Sequence, residues 1–498
     1  MKKYINLISF KKEKHKYLIL LLLGALSAFA MAPYYLIPFL FLGLSVLFYT
    51  INHASSGWRA GLYAGIFGFG FGAVSMAWLA NALMIDGGAF ALFIPLCWIG
   101  MGLLFGVFYA LPAILAYFYP SGYRRYLAYG AWFCLFEWIR SWILTGFPWN
   151  LMGSAWGNVL PILQSASVWG IYGLSLMTVL VCASGAFWPK KKPILLSITV
   201  LGVITLLGIW RLYDASNDKV WGVKLRLVQP NIAQTLKWNP DESERNFSKI
   251  LKLSRQNNDT ITHVIWPETA VSFLIDQDEF NRARMMGAVR QGATLITGGL
   301  RGADILNKQV ANSIFILDDL AEIKGYYDKF HLVPFGEFVP FRDIIPLDKI
   351  VPIGGDIVRG DGLKTMFIPK APPASPLVCY EAIFSGQVAR LDKRPSWLIN
   401  VSNDAWYGLS AGPYQHFDMA RLRSIEEGLP MARAANNGIS AIIDGYGRIL
   451  SSLGLGETGV VDSDLPKALP ATIYAKTGPW PILAFALMLI VFCVKKRK

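Results

Sequence analysis

The sequence predicts a polytopic α-helical membrane protein with eight transmembrane helices and one large α/β domain outside the bilayer. The chain has 498 residues, of which 54% are hydrophobic and 16% are charged, whereas charged residues make up about 25% of ordinary soluble domains. Apolar stretches long enough to cross a bilayer recur up to residue 212 and once more near the C-terminus. Between them, strand-like and helix-like patterns alternate, which is typical of an α/β domain.

The apolar stretches divide the chain into three segments. Residues 1–212 are predicted to form a membrane domain of seven helices, residues 213–477 an extramembrane domain, and residues 478–498 an eighth helix with a basic tail. Glu137 and Arg140 lie three residues apart in the fifth stretch, where we expect a structural ion pair because isolated charges are costly in a bilayer. The eight stretches are 17–32, 34–52, 58–82, 89–118, 127–145, 162–188, 193–212 and 478–494.

Positive charge is concentrated beside the apolar stretches. Sixteen of the 47 Lys and Arg residues flank them, and the remaining basic and acidic residues nearly cancel, so these sixteen account for the net charge of +14. All of them fall on one side of the membrane if all eight stretches cross it. The positive-inside rule then predicts that both termini are cytoplasmic and that residues 213–477 are external. The basic charge therefore indicates topology and does not indicate a nucleic-acid partner.

The pattern of residues 213–477 predicts strands and helices in alternation. An Asn-Pro pair and the acidic residues at 239–244 predict the start of a helix that runs to about residue 255. We also predict a largely helical segment at 416–436, bent before Pro430, and a long loop or lid at 340–375, which is rich in Pro and Gly. A further helix is predicted at 279–290, and strands at 223–229, 262–266, 294–298, 313–317, 376–379, 397–402, 439–444 and 459–462.

Cys379 is the only cysteine outside the apolar stretches. It follows a short apolar run, at the point where a polar turn begins. A lone thiol in the external domain has no partner there for an internal disulfide, so Cys379 is either a buried, inert cysteine at a strand end or a reactive thiol. The other cysteines are expected to be apolar filler and are Cys97, Cys134, Cys182 and Cys493.

Two further polar residues have the chemistry that a nucleophilic thiol needs. Glu268 follows the predicted strand at 262–266, and Lys329 precedes a proline-containing turn. A carboxylate can take the proton of a thiol, and a lysine ammonium can stabilise the oxyanion that forms when the thiolate attacks a carbonyl. Either residue alone is typical of a solvated surface. His331, the only histidine near these segments, would permit a cysteine–histidine pair, although Glu268 and Lys329 already fill the roles.

With their flanking residues, Glu268, Lys329 and Cys379 resemble the Glu-Lys-Cys triad of the nitrilase, or carbon-nitrogen hydrolase, superfamily. The whole chain, including the predicted membrane helices, resembles the apolipoprotein N-acyltransferase family of bacterial inner-membrane enzymes. This resemblance implies that residues 213–477 form a nitrilase-like αββα sandwich. The segments that carry the resemblance are 145–149, 228–232, 236–238, 331–340, 403–408 and 433–436.

The resemblance implies an acyl transfer in two steps. Glu268 would be the general base, Cys379 the nucleophile that takes an acyl chain from a phospholipid as a thioester, and Lys329 the group that stabilises the oxyanion. The chain would then pass to the N-terminal amine of the S-diacylglyceryl cysteine of an apolipoprotein. Phosphatidylethanolamine is the expected donor, and the expected location is the bacterial inner membrane with the catalytic domain in the periplasm. The resemblance implies no metal or redox cofactor, and no Cys/His ligand spacing in the sequence suggests one.

The resemblance also assigns five supporting residues. Glu337 would assist proton transfer or hold Lys329, and Glu381 would orient the site. Tyr380 and Trp238 match aromatic positions near the path of the acyl chain or headgroup, and Asn312 matches an asparagine near the pocket.

Two other functions remain open from the sequence. A membrane-anchored nitrilase-type amidase would share the triad and the fold but would hydrolyse small amides. A non-catalytic lipid-binding or transport scaffold would not need the triad. A thioester that survives water until an amine arrives would distinguish the acyltransferase from the amidase, and full cellular function without Cys379 would favour the scaffold.

Overall fold

The computed structural model describes residues 13–85, 88, 90–304, 309–340 and 357–494. Contacts between Cα atoms divide the chain into two compact units. The described residues of the helical unit come from Met1–Ala80, Phe90–Arg211 and Thr477–Lys498, and those of the mixed unit from Asn81–Ala89 and Leu212–Lys476.

The helical unit contains long apolar helices. Within the described residues, three helical stretches are long and apolar enough to cross a membrane, or four if the bent pair Gly57–Ser75 and Ala77–Met84 counts as one span. This agrees with a membrane protein, while the number of eight spans stays a prediction. The α-helices are α1 Glu13–Ser27, α2 Ile37–Asn52, α3 Gly57–Ser75, α4 Ile94–Tyr117, α5 Tyr123–Arg140, α6 Leu160–Leu163, α7 Ala166–Ala183, α8 Lys191–Tyr213 and, near the C-terminus, α14 Trp480–Cys493.

Glu137 and Arg140 are both buried in α5 and both bind the backbone of the segment that follows. Glu137 Oε1 accepts a hydrogen bond of 2.8 Å from the Met152 N–H. Arg140 Nη1 donates to the carbonyls of Phe147 at 2.8 Å and Trp149 at 2.9 Å. Because buried charges need such partners, these two groups hold the irregular segment between α5 and α6 in place.

The mixed unit is built on two six-stranded sheets. Their strand orders are β12-β1-β2-β3-β4-β5 and β11-β10-β9-β8-β7-β6. β1, β2 and β3 run parallel to one another, as do β7, β8 and β9. The strands are β1 Lys219–Gln229, β2 His263–Trp266, β3 Thr294–Asp304, β4 Gln309–Leu317, β5 Ile323–Asp328, β6 Met366–Ile368, β7 Ala371–Val378, β8 Trp397–Ser402, β9 Met431–Ala435, β10 Ser440–Ile443, β11 Ile449–Leu453 and β12 Gly459–Pro466.

The two sheets pack face to face and carry helices on their outer faces. In β4, Ile314 and Ile316 face the core between the sheets, while Phe315 and Leu317 face the helices. This period of two is what a strand buried on both faces requires. The result is the αββα sandwich that the resemblance implied. The helices of this unit are α9 Gln234–Lys237, α10 Pro240–Arg255, α11 Glu279–Met285, α12 Ala411–Glu427 and α13 Ile473–Thr477.

Each predicted strand overlaps a strand of the structure, although β5 and β11 were not predicted. α10 begins as predicted, with the Asn239 side chain accepting from the Asp241 N–H. The helix predicted at 416–436 is wrong after Glu427. Gly428 adopts a left-handed conformation with φ of 68°, and Pro430 follows it, so the helix stops there. Residues 431–435, which contain good helix formers, instead pair with β8 and β10 as β9.

The prediction of a long loop at 340–375 is wrong for its last part. Met366–Ile368 forms β6, and β7 begins at Ala371. Proline lacks an N–H and is rare inside sheets, so Pro372 and Pro373 concealed the start of β7 in the sequence. Residues 341–356 of the predicted lid lie outside the described residues. The helix predicted at 279–290 also ends early, at Met285, and a short 3₁₀ turn at Met286–Ala288 follows it.

Candidate active site

The three predicted residues come together where strands of both sheets end. Glu268 follows β2, Lys329 follows β5, and Cys379 follows β7 directly. In open α/β sheets, the carboxyl ends of parallel strands are the usual location of ligand sites. Lys329 Nζ lies 3.5 Å from Glu268 Oε1, and the charges of Glu268 and Lys329 both act on the Cys379 thiol.

A shared hydrogen-bond network holds Glu268 and Lys329. Lys329 Nζ donates to Glu337 Oε1 at 2.9 Å. Asn312 Nδ2 donates to Glu268 Oε1 at 2.7 Å and to Glu337 Oε1 at 3.1 Å. All four residues are buried. Burial alone would lower the pKa of Lys329, but the charges of Glu337 and Glu268 raise it above its ordinary value, so the ammonium stays charged.

Cys379 has a strained backbone at the turn from strand to 3₁₀ helix. Its φ is +51°, in a region that residues other than glycine rarely adopt. A similar sharp turn presents the nucleophile in many hydrolases. The side chain is only 5% exposed. Burial and the charge of Glu268 raise the pKa of the thiol, while Lys329 lowers it, so the resting sulfur is protonated and needs a base.

Glu381 joins the two loops that carry Lys329 and Cys379. Its Oε1 accepts from the Tyr327 hydroxyl at 2.7 Å and from the Phe330 and His331 N–H groups at 2.8 and 3.1 Å. Its Oε2 accepts from the Val378 N–H at 2.7 Å. Burial raises the pKa of Glu381, and these donors oppose that shift. Glu381 thus connects the residues that follow Lys329 to the residue that precedes Cys379, which is the geometry that the predicted orienting role requires.

The two predicted aromatic residues differ in how the structure places them. Tyr380 is buried next to Cys379, and its ring centroid lies 5.1 Å from that of Phe384. Trp238 is half-buried at the end of α9. Within the described part of the chain, no hydrogen bond links the Trp238 side chain to the triad.

Lys237 is a second buried lysine beside the site, which the sequence did not single out. Its Nζ donates to the backbone carbonyl of Glu268 at 2.9 Å. Burial lowers its pKa to about 8, although the negative charge of Glu268 and a thiolate at Cys379 would raise it. Its place beside Trp238, in a segment that carries the resemblance, was the only signal available.

The histidine that contacts Cys379 is His416, which the sequence did not connect with the triad. His416 Nε2 lies 3.0 Å from the Cys379 carbonyl oxygen. His331 instead stacks on Phe384, with centroids 4.0 Å apart, and its Nε2 lies 3.0 Å from Gln387 Oε1. Burial lowers the pKa of His331 to about 4. The expectation that His331 is the only histidine near the triad is therefore wrong.

His416 belongs to a buried group, here called the Asp404 cluster, that consists of Ser402, Asp404, His416 and Arg433. His416 Nδ1 lies 2.8 Å from Asp404 Oδ1, and Arg433 Nη2 donates to Asp404 Oδ2 at 2.8 Å. Ser402 Oγ lies 2.9 Å from Asp404 Oδ1 and 3.4 Å from Cys379 Sγ. This cluster lies against the thiol and contains none of the triad's other residues.

Among the described residues, Cys379, Asp404 and His416 form a group whose ligand atoms could hold a metal ion, since those atoms lie within 4.8 Å of one another. Their donor atoms are already engaged, however. Arg433 binds one oxygen of Asp404, and the two ring nitrogens of His416 face Asp404 and the Cys379 carbonyl. The hydrogen-bond network accounts for these side chains without an ion.

Gly298→Ala is expected to displace Glu268. Gly298 lies in β3, and a Cβ there would come 2.6 Å from Glu268 Cα and 2.6 Å from the Pro267 carbonyl oxygen, so the backbone itself must move. We expect a loss of about 1–3 kcal/mol in stability and a lower activity of the site. Gly325→Ala in β5 is the control, because its Cβ would meet only the flexible end of Met366 at 3.4 Å. Equal behaviour of the two variants would contradict this prediction.

Two family profiles and several relatives match this chain. The profile of the apolipoprotein N-acyltransferase N-terminal domain matches residues 23–184, and that of the carbon-nitrogen hydrolases matches residues 224–473. An apolipoprotein N-acyltransferase of Bradyrhizobium diazoefficiens is 36% identical, over 95% of this chain and 94% of its own. One of Rickettsia bellii is 37% identical, over 96% of this chain and 97% of its own. A solved amidase from Nesterenkonia sp. is 17% identical, with a TM-score of 0.38 over 54% of this chain and 99% of that one.

Proposed function

The chain belongs to the apolipoprotein N-acyltransferase family, and on this premise we propose that it moves a fatty acyl chain from a phospholipid to the N-terminal amine of apolipoproteins. The observation that carries the proposal is the contact between Lys329 and Glu268 at the strand ends beside Cys379. It provides a base, a cation and a nucleophile at one place.

In the first step, Glu268 takes the proton of Cys379 and the thiolate attacks the ester carbonyl of the phospholipid. A C–S bond forms, and the negative charge moves to the carbonyl oxygen. Lys329 stabilises this oxyanion with a preorganised charge in a buried site, where such interactions are strongest. The C–O bond then breaks, and the glycerol oxygen takes the proton from Glu268 as the lysophospholipid leaves.

In the second step, the α-amine of the S-diacylglyceryl cysteine attacks the thioester. A C–N bond forms, the C–S bond breaks, and Glu268 passes the proton lost by the amine to the sulfur. Glu337 supports both steps because it shares the Asn312 amide with Glu268 and binds Lys329. The enzyme returns to its resting state without a cofactor.

The substrates explain why the catalytic chemistry is combined with membrane helices. Donor and acceptor are both lipids, and extracting an acyl chain from a bilayer costs about 0.8 kcal/mol per CH₂ group. We propose that the chain lies in a bacterial inner membrane with residues 213–477 in the periplasm and both termini in the cytoplasm, as the positions of Lys and Arg indicate. Phosphatidylethanolamine is the proposed donor, and Tyr380 and Trp238 are proposed to contact the lipid.

The amidase alternative shares the triad but has no use for the apolar helices. The scaffold alternative has no use for a buried lysine held between two carboxylates, because burying three charges is expensive unless they serve a purpose. The acyltransferase accounts for both features.

The proposal predicts an acyl-enzyme that accumulates. The full chain, purified from membranes and supplied with phosphatidylethanolamine but no acceptor, should gain the mass of one acyl chain on the peptide that contains Cys379. Hydroxylamine should remove the adduct, and a diacylglyceryl peptide with a free α-amine should discharge it and become N-acylated.

A peptide with an acetylated α-amine is the matched control, and it should leave the adduct intact. Rapid hydrolysis of the adduct without an acceptor would favour the amidase. No adduct under these conditions would contradict the proposed function.

A further inference from the structure

The Ser402 hydroxyl lies between two hydrogen-bond acceptors, Asp404 Oδ1 and Cys379 Sγ, and can donate to only one of them at a time. Its Oγ lies 2.9 Å from Asp404 Oδ1 and 3.4 Å from Cys379 Sγ. A serine hydroxyl carries one hydrogen. While Cys379 is a thiol, the carboxylate of Asp404 is the stronger acceptor, so the hydrogen points to Asp404. Once Glu268 has removed the thiol proton, the sulfur is an anion and competes for the same hydrogen.

Asp404 can lose the hydrogen bond from Ser402 with little loss of stability, because two other side chains also contact its carboxylate. His416 Nδ1 and Arg433 Nη2 each lie 2.8 Å from one of its oxygens. Although burial opposes this, His416 and Arg433 hold the pKa of Asp404 below its ordinary value. The carboxylate therefore stays ionised and keeps its contacts with Arg433 and His416 when the Ser402 hydroxyl turns away. The absence of a side chain at Gly438 leaves room for the Asp404 carboxylate, because a Cβ there would collide with Asp404 Oδ2.

The same cluster holds the backbone of the nucleophile. His416 Nε2 lies 3.0 Å from the carbonyl oxygen of Cys379, the residue with a φ of +51°. A carbonyl carries no hydrogen, so this contact is a hydrogen bond that the Nε2 hydrogen of His416 donates. His416 thus holds the backbone of Cys379 through its carbonyl oxygen, while Ser402 contacts its sulfur.

We propose that Ser402 is a further catalytic residue, whose hydroxyl turns from Asp404 to Cys379 Sγ and stabilises the thiolate, and that Asp404, His416 and Arg433 are the positioning residues that allow it to turn. The inference deepens the proposed function and rests on Cys379 being its nucleophile. No bond is made or broken at Ser402. The thiol proton goes to Glu268, and Ser402 keeps its own hydrogen throughout.

The test is the pH dependence of Cys379 alkylation by iodoacetamide in the full chain, followed by mass spectrometry of the Cys379 peptide. Thiolates react and thiols do not, so the profile reports the ionisation of this sulfur without any lipid substrate. Ser402→Ala should move the midpoint of the profile up by about one pH unit, which lowers the rate below the midpoint about tenfold. Ser402→Thr, which keeps a hydroxyl, should retain the wild-type midpoint.

Ser375→Ala is the matched control. Ser375 is a buried serine on the neighbouring strand β7, but its hydroxyl donates to the Val388 carbonyl at 2.7 Å and not to sulfur, so its midpoint should not move. An unchanged midpoint in Ser402→Ala, or an equal shift in Ser375→Ala, would overturn the inference.

If Ser402→Ala fails to fold, Ser402→Thr alone carries the test, and a displaced midpoint there would overturn the inference. Failure of the proposed function looks different. In that case Cys379 would form no acyl adduct from phospholipid, while the alkylation profiles would still separate Ser402→Ala from Ser375→Ala.

Discussion

Lys329→Met is expected to lower the rate of Cys379 acylation about 1,000-fold. Loss of one oxyanion donor typically costs about 100- to 1,000-fold, and here a second effect adds to it. Glu268 and Glu337 share the Asn312 amide and lie 3.5 and 2.9 Å from Lys329 Nζ. Without the cation, two adjacent buried carboxylates cannot both remain ionised, so one takes up a proton. A protonated Glu268 cannot accept the proton of the thiol.

The rate is best measured as the growth of the acyl adduct by intact mass, in micelles that contain phosphatidylethanolamine, with Cys379→Ala as the background. Lys237→Met is the matched control. Lys237 is also buried beside Glu268, but it donates to the backbone carbonyl, so its loss should cost no more than about tenfold. Equal rates for the two variants would contradict the assignment of the oxyanion role to Lys329.

The sequence predicted the part of the site that lies at strand ends. Glu268 and Cys379 each follow or border a short apolar run, and strand ends can be located from such runs even when the pairing of the strands is unknown. Lys329 was predicted only to precede a proline-containing turn, and the strand that it follows, β5, was not predicted. The distances between the three residues could not be predicted, because they depend on β2, β5 and β7, which lie in two different sheets.

The Asp404 cluster is the part of the site that the sequence concealed. Asp404 and Arg433 lie in segments that carry the resemblance, but a charged residue in a loop looks the same whether it is solvated or buried. His416 lies in α12, five residues after the helix begins, and nothing in its helical pattern distinguishes a ring that binds the Cys379 carbonyl from one that packs in a core. Only the tertiary structure brings Ser402 of β8, Arg433 of β9 and His416 of α12 together next to the thiol.

Two of the errors in the fold have a common cause. β9 and the start of β7 contain residues whose local preferences oppose a strand, alanines in one and prolines in the other. Both segments pair with neighbouring strands in the second sheet, and tertiary pairing overrides a weak local preference. The Gly428 and Pro430 signals could have ended the helix prediction at the correct place.

Glu381→Ala is expected to destabilise the mixed unit by about 3–5 kcal/mol, the largest effect on folding that we predict for the site. The carboxylate accepts four hydrogen bonds, from Tyr327, Phe330, His331 and Val378, at 2.7–3.1 Å. Its removal leaves these donors buried without an acceptor. Phe330 follows Lys329 and Val378 precedes Cys379, so the loops that carry Lys329 and Cys379 lose their common anchor, and activity should fall together with stability.

The measurement is the apparent unfolding midpoint of the full chain in detergent, which should fall by about 10 °C for Glu381→Ala and by less for Glu381→Gln, whose single oxygen can still accept from the donors to Oε1. Glu427→Gln is the control. Glu427 is equally buried, but burial and the neighbouring Glu426 raise its pKa to about 7, so a neutral amide resembles the form already present near neutral pH. We expect that variant to lie within about 1 kcal/mol of the wild type. If Glu381→Ala were as stable as Glu427→Gln, the carboxylate would not be the anchor of the two loops, and the position of Lys329 would have to depend on Glu337 and Asn312 alone.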